Sequence, residues 1–242
     1  MLAKVSSIIQ SLAALLLVAG GNVDAHPAPE SSPLHTNIAR STFKDEFTTF
    51  DTNTWRCEYT CPVIETGKAR YRLKSGIAPD NYGSWSKSRY TPQRFTKGNF
   101  TVSFSLTERP TKQPVWWGIA LWDDGPTTDL KQFNEINFGY TTDQSYTNTQ
   151  LLFESAKRGV YSSLKVDTGV DLYSEEYYTA SLVYDASHVT FYFNGKKLKE
   201  ITNTSVIPTD EMDLVLGTRL VTGGSALTQG FTQSVDWVQI TV

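Results

Sequence analysis

The decapeptide FNEINFGYTT, Phe133 to Thr142, carries the side chains with the clearest chemical potential. Alternate residues of a strand share a face, so Glu135, Asn137 and Gly139 would point together. Cleaving a glycosidic bond takes two carboxyl groups, one as acid and one as nucleophile or base, and this stretch holds only Glu135. Asn137 can hydrogen-bond Glu135 but cannot share its charge or proton. A neighbouring strand carrying Glu154, in TQLLFES, would supply the missing acid; the simpler reading of Glu154 is a solvated residue at a strand end.

Aromatic side chains flank this stretch, and apolar pyranose faces pack well on such rings. Trp116, Trp117 and Trp122, in VWWGIALW, are the first candidates for sugar stacking. Trp116 and Trp117 are adjacent and must point to opposite faces, so at least one belongs to the core. Trp85 and Tyr90, in GSWSKSRY, are further candidates for substrate subsites, and Trp237 reads as core.

Strands must position these residues, and period-two alternation dominates the chain. In NFTVSFSL, Phe100, Val102, Phe104 and Leu106 alternate with Asn99, Thr101, Ser103 and Ser105. HVTFYFNGKKLKEI predicts a hairpin whose Asn194-Gly195 suits a type I′ turn. Similar runs occur at Arg70–Lys74, Val115–Trp122, Phe133–Tyr140, Thr149–Glu154, Tyr177–Tyr184 and in the closing SVDWVQITV. Turn residues separate them, and no long amphipathic helix follows the N-terminal region. The pattern predicts an all-β sandwich or jelly roll of antiparallel sheets over residues 41–242, as one domain.

Lys4, the apolar run Val5–Gly21 and the small residues of Val23-Asp24-Ala25 have the layout of a secretory signal peptide over residues 1–25. Residues 26–40, rich in Pro and Ser, read as a flexible leader. The expected location is extracellular. In that setting Cys57 and Cys61, in CEYTC, are expected to pair as a disulfide. Asn99 and Asn203 head sequons for N-glycosylation. A net charge of −3 offers no basic field for nucleic acid, and no later segment is apolar enough to span a membrane. Cleavage after Ala25 would expose His26, but a copper site would need His35 or His188 beside it, and neither has a position that argues for this. Asp236 alone cannot establish a calcium site.

The order of features now carries a resemblance: FKDEF, DTNTW, LKSG, SWSKSRYTPQRFTKGNFTVSFSL, VWWGIALW, EINFGY, FYFNGK, VIP before MDLVLGTRL, and VDWVQITV. From Phe43 to Val242 the chain resembles glycoside hydrolase family 16, the laminarinase-like and lichenase-like enzymes of the concanavalin A-like superfamily. The resemblance implies a concanavalin A-like jelly roll and an active strand reading Glu-x-Asp-x-Glu, or the same with one more residue before the last Glu. It places Glu135 at the nucleophile, Asn137 at the middle Asp, and Gly139 or Tyr140 at the acid/base. Two of these three positions depart from the pattern.

The expectation is a secreted, carbohydrate-active monomer without a cofactor. It would act on or bind a β-glucan-like cell-wall polysaccharide, with hydrolysis weak or lost. A non-catalytic glycan-binding module is one alternative. A jelly-roll polysaccharide lyase assembled from Asn137, Gln150, Tyr140 and Arg89 is the other.

Overall fold

A computed structural model describes residues 41–242, apart from residue 108 and residues 111–112, 125–131, 141–144 and 222–224. The expected signal peptide and leader, with His26 and His35, lie outside the described residues. Fifteen strands form among the described residues, numbered in chain order. One sheet contains β1 (Thr42–Asp45), β3 (Val63–Glu65), β4 (Lys68–Leu73), β6 (Gly98–Leu106), β11 (Tyr178–Tyr184), β12 (Val189–Phe193), β13 (Lys196–Ile201) and β15 (Phe231–Thr241). The other contains β2 (Trp55–Tyr59), β5 (Trp85–Tyr90), β7 (Val115–Asp123), β8 (Asn134–Tyr140), β9 (Gln150–Lys157), β10 (Val160–Asp167) and β14 (Asp213–Leu220). Every pairing between these strands is antiparallel.

The core lies where the two inner faces meet. Phe100, Val102, Phe104 and Leu106 of β6 are buried, as their alternation predicts. They oppose Trp117, Ile119 and Leu121 of β7, with Ile136 and Phe138 of β8, in one cluster. Rings bridge the layers: Phe104 and Trp117 centroids stand 5.3 Å apart, and Phe138 and Phe191 5.1 Å. Ser103 and Ser105, on the outer face of β6, are also buried, because β11 and β15 flank this strand on both sides. The β12–β13 hairpin turns through Asn194 (φ 46°) and Gly195 (φ 75°), the two positive values that a type I′ turn demands.

The second sheet runs β10-β9-β8-β7-β14-β5-β2, and its outer face carries the candidate residues. Trp116 and Trp117 part as expected: Trp117 is fully buried in the core, while Trp116 joins a separate small cluster with Ala120 and Val215. Two other aromatic assignments need correction. Tyr90 is five residues from Trp85, an odd step along β5, so it faces the core and packs on Trp55, Phe43 and Phe95. Trp237 follows a bulge between Val235 and Trp237 that shifts the phase of β15, leaving it half-buried beside Lys44 rather than in the core.

Cys57 and Cys61 form a disulfide, with Cα atoms 5.1 Å apart. Asp236 pairs with Lys68 at 2.6 Å, the ordinary reading of that residue. Asn203 is exposed in a turn, whereas Asn99 is half-buried at the start of β6. No helix among the described residues is long and apolar enough to cross a membrane.

Trp117→Ala should cost about 3–5 kcal/mol of stability in urea titrations, the usual loss for a large buried aromatic ring. Trp116→Ala removes a ring that is also buried, but in the small outer cluster with Ala120 and Val215, and should cost less. Equal losses would contradict the division of this pair between core and groove.

Candidate functional site

A groove of about 580 Å³ crosses the outer face of the second sheet. Alternation builds its floor. Trp116, Ala120 and Trp122 project from β7, Glu135 and Tyr140 from β8, Val215 and Arg219 from β14, and Trp85, Lys87 and Arg89 from β5. Trp122 stands directly opposite Glu135 in the β7–β8 register, and its ring stacks on Phe133 at 5.3 Å. Its indole N–H donates to Asp124 at 2.7 Å.

The third position of the active strand is settled by a bulge. The β8–β9 register shifts between Phe138 and Tyr140, and Gly139 takes φ +108°. A Cβ at Gly139 would lie 1.9 Å from the carbonyl oxygen of Trp117, so only glycine fits there. The extra residue returns Tyr140 to the outer face beside Glu135. The acid/base position implied by the resemblance is therefore Tyr140, and Gly139 can present no side chain.

Glu154 is not a solvated strand end. It lies on β9 directly opposite Asn137, while Glu135 lies opposite Ala156. Glu135 and Glu154 are thus diagonal neighbours on one face, a relation that spaces Cβ atoms by roughly 7–8 Å and brings longer side chains together. Asn137 sits between them, fully buried. Its amide makes no well-aligned hydrogen bond, yet it stands close enough to favour the charged form of both carboxyls.

Electrostatics separate the two acids. The Glu135 residue keeps some exposed surface, but its carboxyl end is desolvated. Burial first, and the neighbouring Glu154 charge second, push its pKa up to about 8 against the opposing pull of Asn137 and Arg219. Burial also raises Glu154, while the Ser163 hydroxyl, which donates to it, and Asn137 hold it back. Tyr140 is driven further above the ordinary phenol range by burial and by Glu135, which disfavours its ionisation. Burial and the Glu154 charge thus favour the protonated form of Glu135 at neutral pH.

The far end of the groove is an ion-pair network that the sequence did not reveal. Glu58 meets Lys87 at 2.6 Å and Arg89 at 2.9 Å, and Arg89 also pairs with Asp213. Burial opposes the Glu58 charge, but Lys87 and Arg56 outweigh it and hold the pKa at about 2. The signal was present in the alternation of WSKSRY, where Trp85, Lys87 and Arg89 share a face. This network also dismantles the lyase set. Arg89 is engaged on β5, three strands from β8, and Gln150 accepts from the Thr147 N–H at the start of β9. Among the described residues, no group of three or more His, Cys, Asp or Glu side chains could hold a metal ion.

Neither a scan against protein-family models nor a search of curated proteins finds a match. Solved structures do match. A Bacillus licheniformis beta-glucanase aligns with TM-score 0.65 at 18% identity, over 83% of this chain and 98% of that one. The laminarinase catalytic domain from Thermotoga maritima MSB8 aligns with TM-score 0.65 at 12% identity, over 82% and 96%. A Crh5 transglycosylase aligns with TM-score 0.64 at 17% identity, over 83% of each chain. At these identities the likeness establishes the fold: the jelly-roll sandwich of such enzymes.

Gly139→Ala should destabilise the protein by about 1–3 kcal/mol from its backbone conformation alone, with the clash against Trp117 added. Tyr140→Glu should fold and place a further carboxyl in the groove. Thermal melts of the two variants check this; a Gly139→Ala protein as stable as the wild type would contradict the bulge.

Proposed function

We propose that the chain is an exported, glycan-active protein of family 16 glycoside hydrolase descent, acting on a β-glucan-like polysaccharide with slow hydrolysis. The fold and the aromatic groove support the substrate class. The observation that carries the reading is the trio Glu135, Asn137 and Glu154, a carboxyl pair on adjacent strands with the buried Asn137 amide between them. Two carboxyls brought within about 5 Å meet the requirement of a retaining mechanism.

The electrostatic order favours a division of labour different from the one the resemblance implies. Glu135, protonated up to about pH 8, donates to the leaving glycosidic oxygen. Glu154, where burial raises the pKa but Ser163 and Asn137 favour the charged form, is the carboxyl left to meet the developing positive charge at the sugar carbon. Turnover is slow because Glu154 sits across the ladder rather than along β8, and because Tyr140 occupies the family's acid position.

The test incubates the secreted protein with β-1,3- and mixed-linkage glucans and measures both new reducing ends and glucan pull-down. Weak cleavage is expected, falling by about 10²- to 10⁴-fold in Glu135→Gln, the usual contribution of a positioned acid. Glu154→Gln should lose a comparable factor. The wild-type rate should fall as pH rises through about 8, because Glu135 then gives up its proton. Pull-down without cleavage, unchanged in both variants, would replace this reading with a binding module. Unsaturated products would point to a lyase.

A further inference from the structure

The chain leaves β2 in an unusual way. Tyr59 takes φ +63°, a left-handed conformation uncommon for a tyrosine. Just beyond it the strand stops running antiparallel to β5, and Thr60 pairs with Ser86 in a parallel bridge. The Thr60 N–H donates to the Trp85 carbonyl at 3.1 Å, and the Ser86 hydroxyl donates to the Thr60 carbonyl at 3.0 Å. The Cys57–Cys61 disulfide closes this reversal, so the four-residue step holds Tyr59 at its apex.

That apex sits on a stack. The Tyr59 and Trp85 rings are nearly parallel, with centroids 4.2 Å apart and 11° between planes. The Arg219 guanidinium carbon lies 4.1 Å from the same Trp85 ring. The Lys87 ammonium stands 4.5 Å from that ring as well. Trp85 is therefore crowded by Tyr59, Arg219 and Lys87 together. Tyr59 is 56% exposed and lines the groove, so its outer face is the open aromatic surface of the stack.

We infer that Tyr59, displayed by the Cys57–Cys61 loop and backed by Trp85 and Arg219, is the stacking platform of a remote subsite for an uncharged sugar. This rests on the polysaccharide reading of the groove. Tyr59 on β2 stands four strand spacings from Glu135 on β8, roughly 19 Å at the usual strand separation, a span of several sugar rings. The cations around the platform are matched: Lys87 pairs with Glu58, Arg89 with Glu58 and Asp213, and Arg219 with Asp80 at 3.5 Å. A sulfated or uronate chain would have to break these pairs, whereas a neutral ring needs only the aromatic face and hydroxyl partners.

Calorimetric titration tests this in a Glu135→Gln background, which leaves the probe intact. The probes are laminarihexaose, cellohexaose, laminaribiose and a κ-carrageenan hexasaccharide. Tyr59→Ala should weaken binding of the preferred neutral hexasaccharide by about tenfold or more, while Tyr59→Phe keeps it. Laminaribiose, too short to reach from Glu135, should bind equally to both. Thermal melting should stay put in Tyr59→Ala because the ring is exposed, and Cys57→Ser with Cys61→Ser should copy its binding loss. If that double variant does not fold, the Tyr59 comparison alone decides. Binding of the hexasaccharide within twofold after Tyr59→Ala overturns the subsite and leaves the polysaccharide reading standing. Tighter binding of the carrageenan probe overturns the uncharged class. Binding of no probe by the Glu135→Gln protein overturns both readings together.

Discussion

The missing Cβ of Gly139 governs this site. The β8 backbone passes so close to the Trp117 carbonyl that any side chain at residue 139 would collide with it. That contact fixes the bulge, and the bulge resets the phase of the strand by one residue. Ile136 and Phe138 stay in the core, while Glu135, Asn137 and Tyr140 share the outer face. The β7–β8 ladder pairs Ala120 through Asp123 and stops short of Gly118. The Gly118 N–H is met instead by the side chain of Gln233, from the opposite sheet, at 2.9 Å. Two glycines, Gly139 and Gly118, thus tie groove geometry to the packing of both layers.

On this frame the groove divides its electrostatics. At one end two acids lie close together in a desolvated patch, which favours a neutral Glu135 at physiological pH. At the other end acids and bases alternate and neutralise one another through Glu58, Lys87, Arg89 and Asp213. Between them the floor is apolar, made by Trp116, Ala120 and Val215 with Trp122 and Tyr140 packed alongside. A polar polymer with apolar ring faces suits such a surface: hydroxyls meet the rims and ring faces meet the aromatics. Burying the acid pair has a cost. Glu135 binds its proton more tightly folded than unfolded, so stability falls as pH rises from the ordinary carboxylate range towards about 8.

Much of the fold was legible because alternation is a direct consequence of strand geometry. The runs at Phe100–Leu106, Val115–Trp122 and Tyr178–Tyr184 have one face in a continuous core, and their patterns say so. β5 lacked an apolar stripe because its outer face carries Lys87 and Arg89 into an ion-pair network while its core face uses buried Ser86 and Ser88, and β10 is largely solvent-facing. The parity of β5 was available in WSKSRY and would have kept Tyr90 out of the groove. The choice between Gly139 and Tyr140 was not available, because it depends on how closely β7 approaches β8. Glu154 could be named as a candidate but not placed, for a related reason: cross-strand register brings it to Asn137, and register is a tertiary property. The Tyr59 apex needed the disulfide loop in three dimensions.

The central claim is that Glu135 and Glu154 form one coupled carboxyl pair. Carbon-13 NMR titration of protein labelled at the glutamate carboxyls reads this directly. One carboxyl, lost in Glu135→Gln, should titrate near pH 8, and in Glu154→Gln its midpoint should fall as the neighbouring charge is removed. If every glutamate titrates below about pH 5, in the ordinary carboxylate range, the two acids are independent and solvated, and the pair does not exist.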